Sequence, residues 1–247
     1  MKVIDLSVII PTLNEQHYIG ELLDSLAKQS VQPKEVIVVD AQSTDTTVQE
    51  VKKRSKHCHS LSLYSIPKKT IAKQRNLGAA KSSTTHLLFL DADMLLLKKD
   101  TLKKLWTHIL EDDPDVATCY VMPLSDAMKD KLMYGTVNVL ETMMQPIKPM
   151  GTTMNLYVKR AVFEAIDGFD EQVRVGEDFE FISRVAKAAY NFQVYMRPVF
   201  YTSIRRLKYE GRVKFAAKLI KSMFHVKRHG HAKNPIPYEF GQFTEKV

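Results

Sequence analysis

The stretch THLLFLDADMLLL, from Thr85 to Leu97, joins an apolar run to two aspartates, Asp91 and Asp93. The leucines and the phenylalanine before the first aspartate predict a buried β-strand over residues 86–90. A buried carboxylate that lacks a partner is costly, because the charge loses its hydration without compensation. We therefore expect positively charged groups to meet both aspartates.

Strand-like runs and helical patterns alternate along the first half of the chain. The sequence predicts strands at 6–10, 35–39 and 61–65 and helices at 15–29, 44–54 and 71–81. This alternation is typical of βαβ units with a mainly parallel sheet, in which ligands gather at the carboxyl ends of the strands. Candidate polar residues stand at those ends: Pro11 to Glu15, Asp40, and the pair Asp91 and Asp93.

The second half of the chain has a less regular pattern. It predicts a strand at 116–122, a helix at 126–144, a short strand at 154–160 and a helix at 177–190. No internal repeat, low-complexity tract or glycine- and serine-rich linker separates the two halves. We therefore expect both halves to share one hydrophobic core.

Composition limits the class of protein. With 247 residues and 45% hydrophobic content, the chain fits one large α/β domain, and its formal net charge of +8 indicates an anionic partner. Two cysteines, Cys58 and Cys119, are too few for a disulfide framework, which predicts a cytoplasmic location. The N-terminus reads as a first strand, and no apolar run reaches the roughly 18 residues needed to span a bilayer. Any membrane contact is therefore expected to be peripheral.

The D-x-D pair suggests a metal site. In an extended strand, Asp91 and Asp93 would point to the same face. Two such carboxylates can hold Mg²⁺ or Mn²⁺, which prefer oxygen ligands and keep open positions for phosphate oxygens. The alternative is a solvated turn at the end of the strand.

Two neighbouring motifs favour a nucleotide ligand. Asp40 follows a β-branched strand, where its carboxylate can accept hydrogen bonds from a base or a ribose, while Asp45 is interpreted as a helix cap. Lys73, Arg75 and Asn76 are suited to a diphosphate or a base edge, with a solvated helical face as the alternative.

Taken together, the motifs VIIPTLNE, VVDAQSTDTT, AKQRNLGAA, FLDADM, GFDE and GEDFEFISR resemble those of a family 2 glycosyltransferase with the GT-A fold, in order and in approximate spacing. The similarity covers residues 5–205. It implies an α/β fold whose mainly parallel sheet is flanked by helices, with a Rossmann-like nucleotide-sugar-binding half at 1–97 and an acceptor and catalytic half at 98–205. Residues 206–247 are expected to form a basic amphipathic C-terminal helix and tail.

The resemblance also implies roles for individual residues. Pro11, Asn14 and Glu15 would line the nucleotide pocket, and Asp40 would contact the base. Arg75, with Lys73 nearby, would hold the base or the diphosphate. Asp93 would be the principal metal ligand, and Asp91 would contact the ribose or the metal. The segment GTTMN, residues 151–155, matches a region that approaches the donor sugar or the acceptor.

Asp178 of GED matches the position of the family's catalytic base, with Glu177 beside it. Such a base would deprotonate an acceptor hydroxyl that attacks the anomeric carbon from the face opposite the leaving group, so that the reaction inverts that carbon. The helix N-terminus would lower the pKa of Asp178, whereas Glu177 or burial would raise it. The alternative is an acidic first turn of a helix without a catalytic role.

The C-terminal part is rich in positive charge. The resemblance implies that Arg205 or Arg206 is a candidate clamp for the diphosphate, and a solvated basic face is the alternative. Residues 211–224 have the pattern of a basic amphipathic helix, which would lie on an anionic membrane or pack on the domain. One of the later histidines could complete the metal shell: His225, His229 or His231. The HCH run at 57–59 is not expected to bind a metal.

We expect a metal-dependent transfer from a UDP- or GDP-linked sugar to a glycan or a lipid-linked glycan, as in the synthesis of cell envelope polysaccharides. The open alternatives are a polyprenyl-phosphate acceptor and a non-catalytic module that binds nucleotide sugars. Nucleotidyl transfer is disfavoured because PTLNE, after the first strand, lacks the usual glycine-rich phosphate loop. Nucleic-acid binding is not expected because no recognisable reading motif accompanies the positive charge.

Overall fold

The computed structural model describes residues 2–55, 60–67, 70–145, 154–173, 176–212 and 214 of the chain. The strands in these ranges are β1 (Lys2–Thr12), β2 (Val31–Asp40), β3 (Leu61–Ser65), β4 (His86–Leu90), β5 (Met94–Leu95), β6 (Val116–Pro123), β7 (Asn155–Lys159) and β8 (Phe192–Thr202). The helices there are α1 (Ile19–Ala27), α2 (Thr47–Ser55), α3 (Ile71–Lys81), α4 (Thr101–Asp112), α5 (Met128–Met144), α6 (Arg160–Ala165), α7 (Glu177–Lys187) and α8 (Arg205–Glu210).

All eight strands form one sheet in the order β3-β2-β1-β4-β7-β6-β8-β5. The first four strands of that order pair in parallel, as the alternation of strands and helices predicts. Strand β7 runs antiparallel to both β4 and β6, and β5 runs antiparallel to β8, whereas β6 and β8 are parallel. The α/β class is therefore confirmed, with a parallel first half and a mixed second half.

Side chains that alternate along the strands form two cores, one on each face of the sheet. On one face, Val8 and Leu88 pack with leucines of α1 and α4. On the other, Ile9 and Leu87 pack with residues of α3, α6 and α7. Each core contains residues from both halves of the chain, so the expectation that the halves share their hydrophobic interior is confirmed.

Several predicted helices begin later than expected. The helix predicted from residue 15 begins at Ile19, that predicted from 44 begins at Thr47, and that predicted from 126 begins at Met128. In the first two cases, the preceding residues form loops whose polar groups bind one another across the sheet edge. Helix α4 lies where the sequence analysis makes no prediction, although Leu102, Leu105 and Ile109 form its buried face. Among the described residues, no helix has the length and apolarity required to cross a membrane.

A glycine fixes how closely α3 approaches the sheet. A Cβ atom added at Gly78 would overlap the side chain of Ile9 in β1. Only a residue without a side chain therefore allows this close contact between helix and strand. The contact holds the first turns of α3 against the sheet, and those turns carry Lys73 and Arg75.

Candidate active site

Polar side chains from distant parts of the chain meet at the carboxyl edge of the sheet. The loops that follow β1, β2 and β4 lie there, together with α3 and the first residues of α7 and α8. Ion pairs join Arg75 to Asp91 and Glu177, and join Arg205 to Glu15 and Asp93. The predicted gathering of polar residues at this edge is confirmed, and the contacts of each residue show how the edge is built.

The loops after β1 and β2 are held together by side-chain hydrogen bonds. Asn14 has a left-handed backbone with φ of 56°, and its Oδ1 accepts from the backbone N–H of Thr44 at 2.9 Å. The N–H of Asn14 donates to Ser43 Oγ at 2.9 Å. The side chain of Asn14 is therefore used within the protein to fix the loop, and its predicted contact with a nucleotide stays a prediction.

Asp40 is 1% exposed at the end of β2. Its carboxylate accepts hydrogen bonds from Thr12 Oγ1 at 3.1 Å, from Ser43 Oγ at 2.5 Å and from the Ser43 N–H at 2.9 Å. These bonds join the ends of β1 and β2, and the expected contact with a base stays a prediction. Pro11 is likewise buried, inside β1. Asp45 accepts from the N–H of Thr47 at 2.9 Å, so its interpretation as a helix cap is confirmed.

The D-x-D segment is a turn and not an extended strand. The N–H of Met94 donates to the carbonyl of Asp91 at 3.1 Å, which closes a four-residue turn between β4 and β5. The argument that Asp91 and Asp93 share one face of a strand is therefore wrong, because a closed turn does not have the period of an extended chain. Each carboxylate instead meets its own arginine.

Arg75 is the cation that meets Asp91. Its side chain is 2% exposed, with Nη2 2.8 Å from Asp91 Oδ1 and Nη1 3.3 Å from Glu177 Oε1. The guanidinium also lies 5.1 Å from the ring centroid of Phe169. Arg75 is therefore buried between the D-x-D turn and the first turn of α7, and its predicted contact with a ligand stays a prediction.

Arg205 is the cation that meets Asp93. Its guanidinium bonds both carboxylate oxygens of Glu15 at 2.6 Å, and its Nε lies 3.4 Å from Asp93 Oδ2. It also lies 4.8 Å from the ring centroid of Tyr18. Ser203 Oγ donates to the same oxygen of Asp93 at 2.7 Å. The expectation that positive charge meets both aspartates is confirmed.

Burial shifts the pKa of several of these acids. It raises the pKa of Glu15 to about 7, although the guanidinium of Arg205 acts in the opposite direction. The pKa of Asp91 is also raised by burial, against the charge of Arg75. Burial and the neighbouring Asp178 raise the pKa of Glu177 to about 7. The edge therefore contains acids whose protonation changes near neutral pH.

The two acids at the start of α7 have different environments. The side chain of Glu177 is 12% exposed and is bonded to Arg75, whereas Asp178 is only partly buried and accepts from the Phe179 N–H at 3.0 Å. Glu177 is therefore part of the buried charge cluster, while Asp178 is more open to solvent. This difference makes Asp178 the more accessible of the two for a substrate.

Helix α3 also holds the GFDE loop through two further side chains. Asn76 Nδ2 donates to the Phe169 carbonyl at 2.8 Å, and the Phe169 N–H donates to Asn76 Oδ1 at 2.9 Å. Lys73 pairs with Glu171 at 3.1 Å. The motifs AKQRN and GFDE are therefore structural partners, and the predicted role of Lys73 toward a diphosphate stays a prediction.

Sequence reasoning missed two residues that position the site. Gln74 is 3% exposed, and its amide donates to the carbonyls of Thr12 at 2.8 Å and of Val39 at 2.7 Å. It therefore fastens α3 to the ends of β1 and β2. Ser203, which binds Asp93, is the second. For Gln74 there is a signal, because it directly precedes Arg75 on a helix packed against the sheet. No signal in the sequence points to Ser203.

Arg206 and Tyr134 both interact electrostatically with the aspartates of the D-x-D turn. The charge of Arg206 lowers the pKa of Asp91, although burial, which raises it, is stronger. Burial raises the pKa of Tyr134 to about 12, with Asp93 adding to the shift and Arg206 opposing it. Arg205 is paired with Glu15 and Asp93, and the predicted role of either arginine toward a diphosphate stays a prediction.

The aspartates offer suitable oxygens for a hard cation. Hydrogen bonds from the described residues reach Oδ1 of Asp91 and Oδ2 of Asp93, and no bond from this part of the chain reaches the second oxygen of either carboxylate. Mg²⁺ and Mn²⁺ prefer such ligands, so the residues fit the predicted metal. Within the described ranges, no group of three or more histidine, cysteine or acidic side chains could hold a metal ion.

Some predictions fall outside the described residues. These are the HCH run at 57–59, the first three residues of GTTMN, most of the amphipathic segment 211–224, and the histidines His225, His229 and His231. Of GTTMN, Met154 and Asn155 are described. Asn155 is buried in β7, where its side chain accepts from the Cys119 N–H at 2.7 Å and donates to the Cys119 carbonyl at 3.0 Å.

The raised pKa of Glu177 predicts a dependence of stability on pH. From about pH 4.5 to about 7, the folded state keeps a proton on Glu177 that the unfolded chain has released, so this group makes the fold less stable as pH rises. Glu177→Gln should therefore match the native protein at pH 5 and exceed its free energy of unfolding by about 1 to 3 kcal/mol at pH 7.5. Urea unfolding at both pH values, with a chelator present, measures the difference.

Comparing Glu177→Gln with the native protein separates the effect of Glu177 from that of groups whose titration changes stability in the opposite direction. His86, whose pKa is lowered by burial, is one of them, since it makes the fold more stable as pH rises. Glu164→Gln is a matched control, because the side chain of Glu164 is 64% exposed. It should leave the pH dependence unchanged. An equal pH dependence in Glu177→Gln and the native protein would show that folding does not raise the pKa of Glu177.

Comparisons with known sequences agree with the geometry. The family model described as Glycosyl transferase family 2 matches residues 7–161. TarS of Staphylococcus aureus, a poly(ribitol-phosphate) beta-N-acetylglucosaminyltransferase, is 42% identical over 114 residues, which cover 44% of this chain and 20% of TarS. An uncharacterized glycosyltransferase of Haemophilus influenzae is 27% identical over 201 residues, which cover 73% of this chain and 61% of that protein. The chain thus spans about a fifth and about three fifths of these relatives.

Solved structures give the same result for the fold. The crystal structure of S. aureus TarS 1–349 in complex with UDP-GlcNAc matches with a TM-score of 0.64 and 28% identity, covering 82% of this chain and 58% of that one. The mannosyltransferase PcManGT from Pyrobaculum calidifontis, in complex with GDP-Man and Mn²⁺, matches with a TM-score of 0.68 and 24% identity, covering 88% and 64%. Both are GT-A enzymes, so the predicted GT-A fold is confirmed.

Proposed function

Because the chain belongs to glycosyl transferase family 2, we propose that it transfers a sugar from a UDP- or GDP-linked donor to a hydroxyl group of an acceptor. The observation that carries this proposal is the charge cluster in which Arg75 and Arg205 join the D-x-D turn to Glu177 and Glu15. One edge of the sheet thus combines acids suited to a metal, arginines near them and a partly exposed acid, Asp178. We assign residues 1–97 to the donor half and 98–205 to the acceptor half.

We propose that Mg²⁺ or Mn²⁺ binds at Asp91 and Asp93. A divalent ion there would stabilise the negative charge that develops on the leaving diphosphate. The mannosyltransferase PcManGT, which has been solved with Mn²⁺, supports this choice of metal. Arg205 and Ser203 would keep Asp93 in place, because both contact its Oδ2.

The diphosphate also needs positive charge from the protein. Arg206 supports this role because it lies near Asp91 and is not the arginine bound to Glu15. When the bond between the anomeric carbon and the diphosphate oxygen breaks, the electron pair leaves with the diphosphate. A guanidinium close to those oxygens would stabilise the leaving group without any proton transfer.

We assign the catalytic base to Asp178. Its carboxylate would accept the proton of the acceptor hydroxyl while the hydroxyl oxygen bonds to the anomeric carbon, from the face opposite the departing diphosphate. The configuration at that carbon would thereby invert. Glu177 would act on Asp178 through its charge, and Arg75 would hold Glu177 in position.

The acceptor is proposed to be a glycan or a lipid-linked glycan of the cell envelope. TarS, a poly(ribitol-phosphate) beta-N-acetylglucosaminyltransferase, supports a polymeric acceptor, although it is matched over only 20% of its length. A polyprenyl phosphate is the alternative acceptor, and a non-catalytic nucleotide-sugar-binding module is the alternative function. The cytoplasmic location and the contact with an anionic membrane stay predictions, since the amphipathic segment lies almost wholly outside the described residues.

Nucleotide binding tests the proposal most directly. We expect one of UDP, GDP, CDP and dTDP to bind with at least tenfold higher affinity when Mn²⁺ is present. Asp93→Ala should lose this metal-dependent gain, because it removes the principal proposed ligand of the ion. Calorimetric titration of the native protein and the variant, with and without Mn²⁺, provides the measurement.

Asp100→Ala is the matched control for this titration. Asp100 is another aspartate near the D-x-D turn in sequence, and its exposed side chain pairs with Lys104 in the next turn of α4. It should keep the full effect of Mn²⁺. If none of the four nucleotides binds the native protein under either condition, the proposed donor class is wrong. If a nucleotide binds but no donor is turned over with any acceptor, the non-catalytic module is supported.

A further inference from the structure

Helix α5 (Met128–Met144) carries an apolar face that points away from the protein. More than half of the large hydrophobic side chains that are exposed in the described part of the chain belong to this one helix. Five of them form an outer face: Met128 at 76% exposure, Leu132 at 69%, Val139 at 50%, Leu140 at 53% and Met143 at 65%. Helical spacing places these residues along one stripe. A contiguous exposed stripe of this kind is typical of an interaction surface.

The inner side of α5 is polar and is fastened to the rest of the protein. Its buried residues are Asp130, Asn138 and Glu141. The Asn138 side chain accepts from the Val121 N–H at 3.1 Å and donates to the Val121 carbonyl at 2.9 Å. Asp130 accepts from Ser125 Oγ at 2.6 Å. Rotation of the helix to bury its apolar stripe would break these bonds and leave buried polar groups without partners, so the outer face stays at the surface.

The charged residues of α5 that reach the surface are positive. Lys129 is exposed and Lys131 is partly exposed, whereas both acids of the helix, Asp130 and Glu141, are buried on the inner side. The nearest exposed acid before the helix is Asp126. Both lysines stand in the first turn, where the positive end of the helix dipole disfavours a cation, so they do not stabilise the helix itself. The outer face thus combines apolar side chains with adjacent positive charge.

Helix α8 adds positive charge near the same end of α5. Arg212 donates to both carboxylate oxygens of Asp130, at 2.7 and 3.1 Å, which brings the end of α8 close to the first turn of α5. Lys208 is exposed on α8, and the one acid of that helix, Glu210, is only partly exposed. Tyr209 is 74% exposed, and its ring with a polar tip suits a boundary between an apolar phase and water. This region is therefore suited to an anionic, partly apolar partner.

The size of the outer face favours a lipid surface over a second copy of the chain. The seventeen residues of α5 extend about 25 Å, so a stripe about 10 Å wide has an area of about 250 Å². Two such faces packed together would bury about 500 Å², whereas stable protein interfaces bury about 1,200 to 2,000 Å². A lipid surface needs no matching face, and its negative headgroups would attract the lysines.

We propose that α5 docks on an anionic phospholipid surface. Its outer face would enter the boundary between headgroups and acyl chains, to a depth of about 5 to 10 Å, while Lys129, Lys131 and Lys208 contact the phosphates. The contact is peripheral, since the helix lies along the surface and does not cross it. The membrane contact is thereby assigned to a helix in which the sequence analysis finds no membrane pattern.

Docking through α5 would place the candidate site beside the membrane. Tyr134, on α5, is close enough to Asp93 for that carboxylate to raise its pKa. The helix that contacts lipid therefore also borders the D-x-D turn. An acceptor whose lipid anchor lies in the same membrane would be held near the site. This consequence, unlike the docking itself, rests on the proposed function.

Sedimentation with vesicles tests the docking. We expect the native full-length chain to bind vesicles of phosphatidylcholine and phosphatidylglycerol, and Leu132→Asp to bind them at least tenfold more weakly, because a charge would enter the apolar contact. Lys129→Glu should weaken binding about fivefold. Leu110→Asp is the matched control, since Leu110 is 62% exposed on α4, and it should bind as the native protein does. Circular dichroism checks that all variants fold.

Photo-crosslinking shows whether α5 itself touches the lipid. With p-benzoylphenylalanine at position 132 of the full-length chain, irradiation on the same vesicles should give an adduct with phospholipid, as identified by mass spectrometry. The same amino acid at position 110 should give none. This measurement separates docking through α5 from vesicle binding by another basic part of the chain.

Several outcomes would overturn the proposal. Equal vesicle binding by Leu132→Asp and the native protein, or absence of binding by both, would show that α5 does not dock on lipid. Adducts between chains, together with a dimer in light scattering, would identify a second copy as the occupant. Adducts from position 132 to another part of the same chain, with none to lipid, would show that the chain itself covers the outer face.

The vesicle experiments contain no nucleotide, so their result is independent of the proposed function. Failure of the native protein to bind any nucleotide would refute that function and leave the docking intact. If both hold, Leu132→Asp should lower the turnover of a lipid-linked acceptor in vesicles at least tenfold and leave that of a water-soluble acceptor unchanged. An equal loss with both acceptors would contradict a role of the docking in presenting the acceptor.

Discussion

Replacing Arg75 with methionine is expected to lower the free energy of unfolding by about 3 to 5 kcal/mol at pH 7.5. The guanidinium is buried between Asp91 and Glu177, at 2.8 and 3.3 Å, so the substitution leaves two acids without their cation. Methionine retains most of the volume of the side chain, which limits the effect of a cavity. Urea unfolding followed by circular dichroism measures the loss.

The pH dependence of this loss identifies its cause. At pH 5, where an unpaired acid can take up a proton, the destabilisation should be smaller than at pH 7.5. Lys73→Met is the matched control, because Lys73 lies on the same helix but its side chain is 34% exposed and pairs with a more exposed Glu171. It should lose no more than about 1 kcal/mol. An Arg75→Met variant as stable as Lys73→Met would contradict the assigned role of the buried pair.

Asp178→Asn is expected to lower the turnover of a hydroxyl acceptor by about 10² to 10⁴-fold, the usual contribution of a general base. Asparagine keeps the shape of the side chain but cannot take the proton of the hydroxyl. Nucleotide affinity should stay within threefold of the native value, because the proposed base does not hold the diphosphate. Release of the nucleoside diphosphate in the presence of donor and acceptor, combined with the titration above, separates the two effects.

Two controls make this experiment decisive. Asp170→Asn introduces the same change at an exposed position of the neighbouring GFDE loop, and it should keep full turnover. The unfolding midpoint of Asp178→Asn should match that of the native protein, which excludes misfolding as the cause of lost activity. Unchanged turnover would favour a phosphate acceptor, since an acceptor that is already anionic needs no base.

The sequence predicts the first half of the fold well, because local patterns determine it. A continuous apolar run predicts the buried strand at 86–90, and the position of Asp45 directly before α2 predicts its bond to the start of that helix. The same local reasoning fails at Asp91 to Met94. An extended chain and a tight turn are both compatible with D-x-D, and the hydrogen bond that decides between them involves the backbone alone.

The sequence locates the candidate site, but it does not show which of the site's residues bond to one another. The motifs indicate that Arg75, Asp91 and Glu177 belong to one edge of the sheet, yet nothing in their spacing pairs one with another. Pairing depends on the order of strands, which brings α3 and α7 to the same face. Ser203 and Gln74 were missed for a similar reason, because their partners are set by tertiary structure and not by neighbours in sequence.

The bond between Glu15 and Arg205 joins positions 190 residues apart. A ribosome would have released β1 to β4 long before Arg205 is synthesised, so the loop after β1 must wait for its partner while most of the chain is still being made. During that time, the carboxylate of Glu15 remains in water. The loop can form its bond to Arg205 only after β8 and α8 have been made, so the completion of this edge of the sheet is a late event in folding.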